Sequence, residues 1–103
     1  MAALCDALRV NVTLTSLNPS CYLGTAGAAQ LAGALQVNST LTSLDLNGND
    51  VGDEGAAALA FGLRVNSALK SLRLSFNHVG DGGTMAIAWA LRSNNSLTSL
   101  EII

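Results

Sequence analysis

The residues able to do chemistry in this chain are few, and their spacing assigns them to no reaction. His78 is the single histidine among the 103 residues, and acting as a general base would require a Ser or Cys nucleophile within hydrogen-bond reach, a partner that no spacing here supplies. It follows Asn77 in a turn, so an exposed loop histidine is expected. Cys5 and Cys21, the only cysteines, stand apart from any Cys-x-x-Cys or histidine pair, which speaks against zinc and a disulfide framework and for free, reduced thiols. Gly24-Thr-Ala-Gly27, Gly52-Asp-Glu-Gly55 and Gly80-Asp-Gly-Gly83 have the look of phosphate loops but lack the Gly-Lys-Ser/Thr such a loop needs. The acids Asp50, Asp53, Glu54 and Asp81 gather near these glycines without the spacing of a calcium loop, and helix capping accounts for Asp53 and Asp81. Asn11-Val-Thr13, Asn38-Ser-Thr40 and Asn94-Asn-Ser96 fit the N-glycosylation pattern. No catalytic residue, no cofactor and no metal are expected.

The elements that must position these residues announce themselves by repetition. Leu14-Thr-Ser-Leu17, Leu41-Thr-Ser-Leu44, Leu69-Lys-Ser-Leu72 and Leu97-Thr-Ser-Leu100 recur at steps of 27, 28 and 28 residues, the period of a stacked repeat array. The glycine pairs recur with the same step, which makes them loop-to-helix turns. The glycosylation-like asparagines do so too, each three residues before a strand leucine, so they belong to the repeat itself.

One copy, Leu41 to Ala68, carries the physical logic. Leu44 and Leu46 alternate with Ser43, Asp45 and Asn47, the period-two pattern of a short half-buried strand. Asn49 stands where the chain turns away, able to bond the backbone of its own and the neighbouring turn; Asn77 holds the same place one copy later. Val51 continues the core, Gly52 frees the backbone, and Asp53 is expected to cap a helix over roughly 53 to 65. Ala56, Leu59, Ala60 and Leu63 form its apolar stripe, and Asn66 suits a left-handed cap at its end. Strand, helix and strand in one register require parallel pairing through a right-handed crossover. Because a helix is about 10 Å across and strands are about 4.8 Å apart, such units curve with the sheet on the concave side.

Leu69-Lys-Ser-Leu-Arg-Leu-Ser-Phe-Asn77-His-Val-Gly-Asp-Gly-Gly83 resembles the leucine-rich repeat of the ribonuclease-inhibitor type, and the resemblance covers nearly the whole chain. It implies an α/β right-handed solenoid, a horseshoe segment with a parallel sheet inside and helices outside. Similar repeats occur in ribonuclease inhibitor, Ran GTPase-activating proteins and the sensing regions of NOD-like receptors. The first copy departs from the pattern: Leu17-Asn-Pro-Ser-Cys-Tyr-Leu23-Gly24 is a residue short, and Pro19 removes a ladder donor. Counting back from Gly24 puts Cys21 where Asn49 and Asn77 stand, and the family accepts Cys or Asn there, so Cys21, Asn49 and Asn77 are read as a structural turn ladder.

Aligning the copies turns sequence into surface columns. The first concave column is Ser16, Ser43, Ser71 and Ser99. The next is Asn18, Asp45, Arg73 and Glu101, a cation between two anions, readable as a cross-strand charge ladder or as a protein-binding row formed by Asp45, Arg73 and Glu101. A third, Pro19 or nearby, Asn47, Ser75 and Ile103, adds little charge. On the helical side, Asp6, Gly33, Phe61 and Trp89 share a position. Phe61 and Trp89 follow Ala60 and Ala88, both expected to be buried, so the two aromatics should lie at the edge of the apolar stripe, either filling the groove between helices or forming a convex-edge protein-binding patch.

Bulk properties limit the partners. The net charge is −2, with five basic residues spread singly, so neither nucleic acid nor an anionic membrane is an expected partner. No stretch approaches the roughly 18–20 apolar residues of a bilayer span, and no leader is evident, which favours a soluble, cytoplasmic protein. Residues 1–103 read as a single array of about three and a half repeats of 27–28 residues without evident caps. Two explanations stay open for the missing caps: a piece of a longer array, or uncovered ends that pair with another copy to give a homo-oligomer. The function expected is protein–protein interaction as the recognition or scaffold part of a larger intracellular protein, without enzymatic activity. The alternative is a GTPase-activating protein of the Ran-regulator type, and a ribonuclease-inhibitor role is a lesser option.

Overall fold

The computed structural model describes residues 2–19 and 22–103. Helices and strands alternate along the chain: α1 (Ala2–Val10), β1 (Ser16–Leu17), α2 (Gly24–Leu35), β2 (Ser43–Asp45), α3 (Gly52–Val65), β3 (Ser71–Arg73), α4 (Asp81–Leu91) and β4 (Ser99–Glu101). The strands form one parallel sheet in the order β1-β2-β3-β4. Their register is set by the recurring motif, with Ser43 opposite Ser71, Leu44 opposite Leu72 and Asp45 opposite Arg73, and Ser71, Leu72 and Arg73 opposite Ser99, Leu100 and Glu101. β1 is a residue shorter than the other strands, in keeping with the compressed first copy and Pro19.

Core and period coincide. Leu41, Leu44, Leu46, Leu69, Leu72 and Leu74 from the strand segments, and Leu31, Leu35, Leu59, Leu63 and Ile87 from the helices, are all buried to within 1 %. Small residues set the helix spacing. A Cβ on Gly62 would stand 2.9 Å from the carbonyl oxygen of Ala32, closer than real contacts allow, so α3 lies against α2 only because that position has no side chain. Gly52 turns into α3 at a φ of +70°, in the left-handed region that glycine enters without strain.

Asparagines stitch the copies together on both rims of the sheet. On the helix-to-strand rim, Asn66 Nδ2 donates to the carbonyls of Leu35 (2.9 Å) and Asn38 (3.0 Å), while its Oδ1 accepts from the amides of Ala68 and Leu69. Asn38 and Asn94 repeat this arrangement. The left-handed cap expected at Asn66 is absent: its φ and ψ are −72° and 131°. The extended backbone aims the amide at the end of the preceding helix, where it satisfies the orphan carbonyls of that helix instead of its own. These side-chain amides are fully occupied, which accounts for the glycosylation-like triplets at Asn38 and Asn94 as structure.

On the strand-to-helix rim, Asn77 Oδ1 accepts from the amides of Asn49 (2.9 Å) and Val51 (3.1 Å), and its Nδ2 donates to the carbonyl of Leu46 (2.7 Å). The same offsets from Asn49 fall on Cys21 and Leu23; Cys21 lies outside the described residues. Cys5 is a free, buried thiol, and burial pushes its pKa above the ordinary value.

Two further expectations are corrected. Asp53 does not cap its own helix; α3 has Val51 at its N-cap and no side-chain bond there. Its Oδ1 accepts instead from Gly80 N (2.7 Å) and Gly83 N (3.0 Å) of the following copy. The reason is that α4 begins after Gly80, which has no side chain with which to cap. Ala88 is exposed although its counterpart Ala60 is 1 % exposed: α4 packs over Ala60, whereas no described helix packs on the equivalent side of α4.

Candidate functional site

Three sets of exposed side chains break the repetition, and each sits on a different part of the solenoid. On the helices, Phe61 of α3 and Trp89 of α4 meet edge to face, with ring centroids 5.8 Å apart and an interplanar angle of 76°, the geometry that aromatic quadrupoles prefer. They stay 56 % and 44 % exposed, so they do not fill a groove. The Arg64 guanidinium lies 4.1 Å from the centroid of the Trp89 ring, a cation–π contact that fixes both. The same position one copy before Phe61 is Gly33, and there Arg9 covers the backbone where a side chain would stand.

On the sheet, parallel register brings Asp45, Arg73 and Glu101 side by side as the alignment implies. Arg73 pairs with Asp45 at 3.6 Å and with Glu101 at 3.5 Å. Glu101 also accepts from Ser75 Oγ (2.9 Å) and Asn47 Nδ2 (3.3 Å), so the third column, which adds little charge, buttresses the second. These bonds, that from Ser75 first and then those from Arg73 and Asn47, hold the Glu101 carboxyl below its ordinary pKa. The row is a satisfied ladder of exposed ion pairs, each weakened by solvent screening.

At the strand-to-helix rim, Tyr22, Asp50 and His78 occupy one position in successive copies. The Tyr22 hydroxyl donates to Asp50 Oδ2, and His78 Nδ1 lies 2.9 Å from Oδ1. An ionised carboxylate only accepts, so both neighbours donate. They lower the Asp50 pKa, the tyrosine bond most, and the same bond raises that of Tyr22. His78 is exposed as expected, and it is also bonded to Asp50. Asp50 and His78 adopt φ of 53° and 55°, and between them in sequence Phe76 adopts 59° while 71 % exposed.

Phe76 and Lys70 also break the repeat. Phe76 stands where the previous copy has Gly48, also at positive φ. Lys70 interrupts a column of threonines formed by Thr15, Thr42 and Thr98. Thr42 Oγ1 and Thr98 Oγ1 each bond the carbonyl of the same column in the preceding strand, a contact that lysine gives up.

No group of three or more His, Cys, Asp or Glu among the described residues is placed to hold a metal ion. No described helix is long and apolar enough to cross a membrane.

A leucine-rich-repeat family model matches residues 37–60 and 65–88, two successive copies. The chain is a leucine-rich-repeat protein. Among solved structures it is similar to leiomodin-1 actin-binding site 2, with 28 % identity and a TM-score of 0.84 over 95 % of this chain. It spans 58 % of that leiomodin chain. The C-terminal domain of tropomodulin from Caenorhabditis elegans shares the fold, with a TM-score of 0.65 at 14 % identity, covering 99 % of this chain and 82 % of that one. No curated protein sequence matches the chain.

Proposed function

We propose that this leucine-rich-repeat chain is a protein-binding module that takes its partner on the helix-side edge formed by Phe61 and Trp89. The observation that carries the reading is the aromatic pair itself: two large rings from successive helices, held in a fixed edge-to-face arrangement under Arg64 and still about half exposed. Interfaces concentrate their energy in such residues, aromatic and arginine, whose shape is set before the partner arrives. The concave row is the second surface. It is less favoured, because a partner there would have to compete with ion pairs and hydrogen bonds that already satisfy Asp45, Arg73 and Glu101.

Actin is the first partner to test. What supports it is the similarity to leiomodin-1 actin-binding site 2 over 95 % of the chain; the GTPase-activating alternative draws no support from the matched structures. Sedimentation with filamentous actin and capture by monomeric actin are the assays. Binding is expected in the wild type, loss by about tenfold or more in Phe61→Ser/Trp89→Ser, and retention in Asp45→Arg. Loss in Asp45→Arg alone would move the site to the sheet. Failure of the wild type to bind either form of actin would retire actin as the partner.

A further inference from the structure

The charges of this chain are sorted by rim. Asp53 and Glu54 lie in the first turn of α3 and Asp81 in that of α4. Arg9 and Arg64 lie in the last turns of α1 and α3, Arg92 follows α4, and Lys70 lies in the loop entering β3. The helix macrodipole favours this sorting. Its result is that four of the five basic residues gather on the helix-to-strand side, although the molecule as a whole is acidic.

On that side the loops after α3 and α4 frame an open cleft of about 290 Å³. Arg64 and Lys70 line it together with Ser67, Ser93, Asn95 and Ser96, with no carboxylate among its lining residues. Arg64 belongs to this cleft and to the Trp89 stack at once, so the polar cleft and the aromatic edge are one continuous surface. Two positions that break the repeat meet here. Lys70 replaces the threonine of its column, and Ser93 replaces the valine found at Val10, Val37 and Val65. Lys70 trades a hydroxyl that serves the scaffold for an ammonium, and Ser93, whose hydroxyl donates to the Ala90 carbonyl at 3.4 Å, trades an apolar side chain for a polar one.

We propose that this surface binds an acidic peptide segment of a protein partner, a carboxylate entering the cleft between Arg64 and Lys70 while an adjacent apolar side chain lies on Phe61 and Trp89. Charge complementarity selects the occupant: the cleft has two cations and no carboxylate, beside rings that accept an aliphatic group. The proposal deepens the protein-binding reading above and rests on it.

Trp89 is the sole tryptophan, so its fluorescence reports on the site directly. The probe is a short capped peptide alternating glutamate and leucine, titrated beside its glutamine counterpart and inorganic phosphate. The glutamate peptide is expected to change the emission saturably, with an affinity that falls as salt is raised. Lys70→Thr, which restores the residue of the other three copies and so leaves the fold intact, is expected to weaken it about three- to fivefold. Arg64→Gln added to it is expected to weaken binding further. Equal binding of the glutamine peptide, an unchanged affinity in Lys70→Thr, or saturation by phosphate at the concentrations that saturate the peptide would each overturn the proposal. Loss of the peptide signal with capture by actin intact would sink the cleft alone. Peptide binding without any protein capture would sink the broader reading.

Discussion

At the scale of single residues, the informative positions are those where one copy differs from its neighbours. Phe76 illustrates how a difference can oppose stability. It occupies a left-handed conformation that Gly48 adopts one copy earlier, costing about 1–2 kcal/mol for a residue with a Cβ, and its ring is too exposed to recover that by packing. Its backbone amide donates to the Ile103 carbonyl at 3.0 Å, a bond that glycine would keep. Phe76→Gly is therefore expected to raise the melting temperature by roughly 2–6 °C, allowing for the added chain entropy of glycine. A drop in the thermal melt would show that the ring packs after all. Phe76 thus joins Phe61 and Trp89 as an exposed aromatic where another copy carries glycine, a divergence readable in the aligned sequence.

At the scale of elements, each helix is completed by its neighbour. The leucine periodicity places every strand, and it gives the bounds of α3 to within a residue, because those features are set inside one copy by side-chain alternation and the helical repeat. What lies between copies was not readable in the same way. Asp53 sits in the first turn of α3, where propensity makes it a cap for α3, yet its carboxylate reaches the amides of Gly80 and Gly83. Asn66 has a composition suited to a left-handed cap and bonds the end of α2 instead. Ala88 has the sequence pattern of Ala60 but is exposed, with no described helix packed over it. All three outcomes depend on lateral stacking, which a one-dimensional period does not encode. The cap makes a specific prediction. Asp53→Ala should destabilise the chain by about 1–2 kcal/mol, and the loss should be local: amide exchange should speed up at the start of α4 and leave α3, which carries the substitution, protected. Equal loosening of both helices would refute the assignment, and Asp53→Asn, which keeps an acceptor without the charge, should fall between.

For the molecule as a whole, stability resides in the contacts between adjacent copies, as expected of a solenoid in which each unit touches only its neighbours. Helix packing is one such contact; the asparagine ladder is the other, and Asn66 is its middle rung. It is 5 % exposed, and its amide satisfies two carbonyls of the preceding copy and two amides of its own. Removing it leaves those four backbone groups without their partners, at about 1–3 kcal/mol for each one that water does not reach. Asn11 has the same residue type and the same place in its copy, but it is exposed and its side-chain bonds run within its own loop, to Thr13 and Leu14. Urea unfolding should therefore separate the two substitutions. Asn11→Ala is expected to cost less than about 1 kcal/mol, whereas Asn66→Ala is expected to lose about 3–5 kcal/mol, a large part of the 5–15 kcal/mol that holds a domain of ordinary stability together. Because Asn66 couples the two halves of the array, its loss should also flatten the transition, lowering the apparent m-value as the halves begin to unfold separately. Equal costs for the two asparagines, or an unchanged slope in Asn66→Ala, would mean that the ladder follows the stacking of the copies and does not cause it.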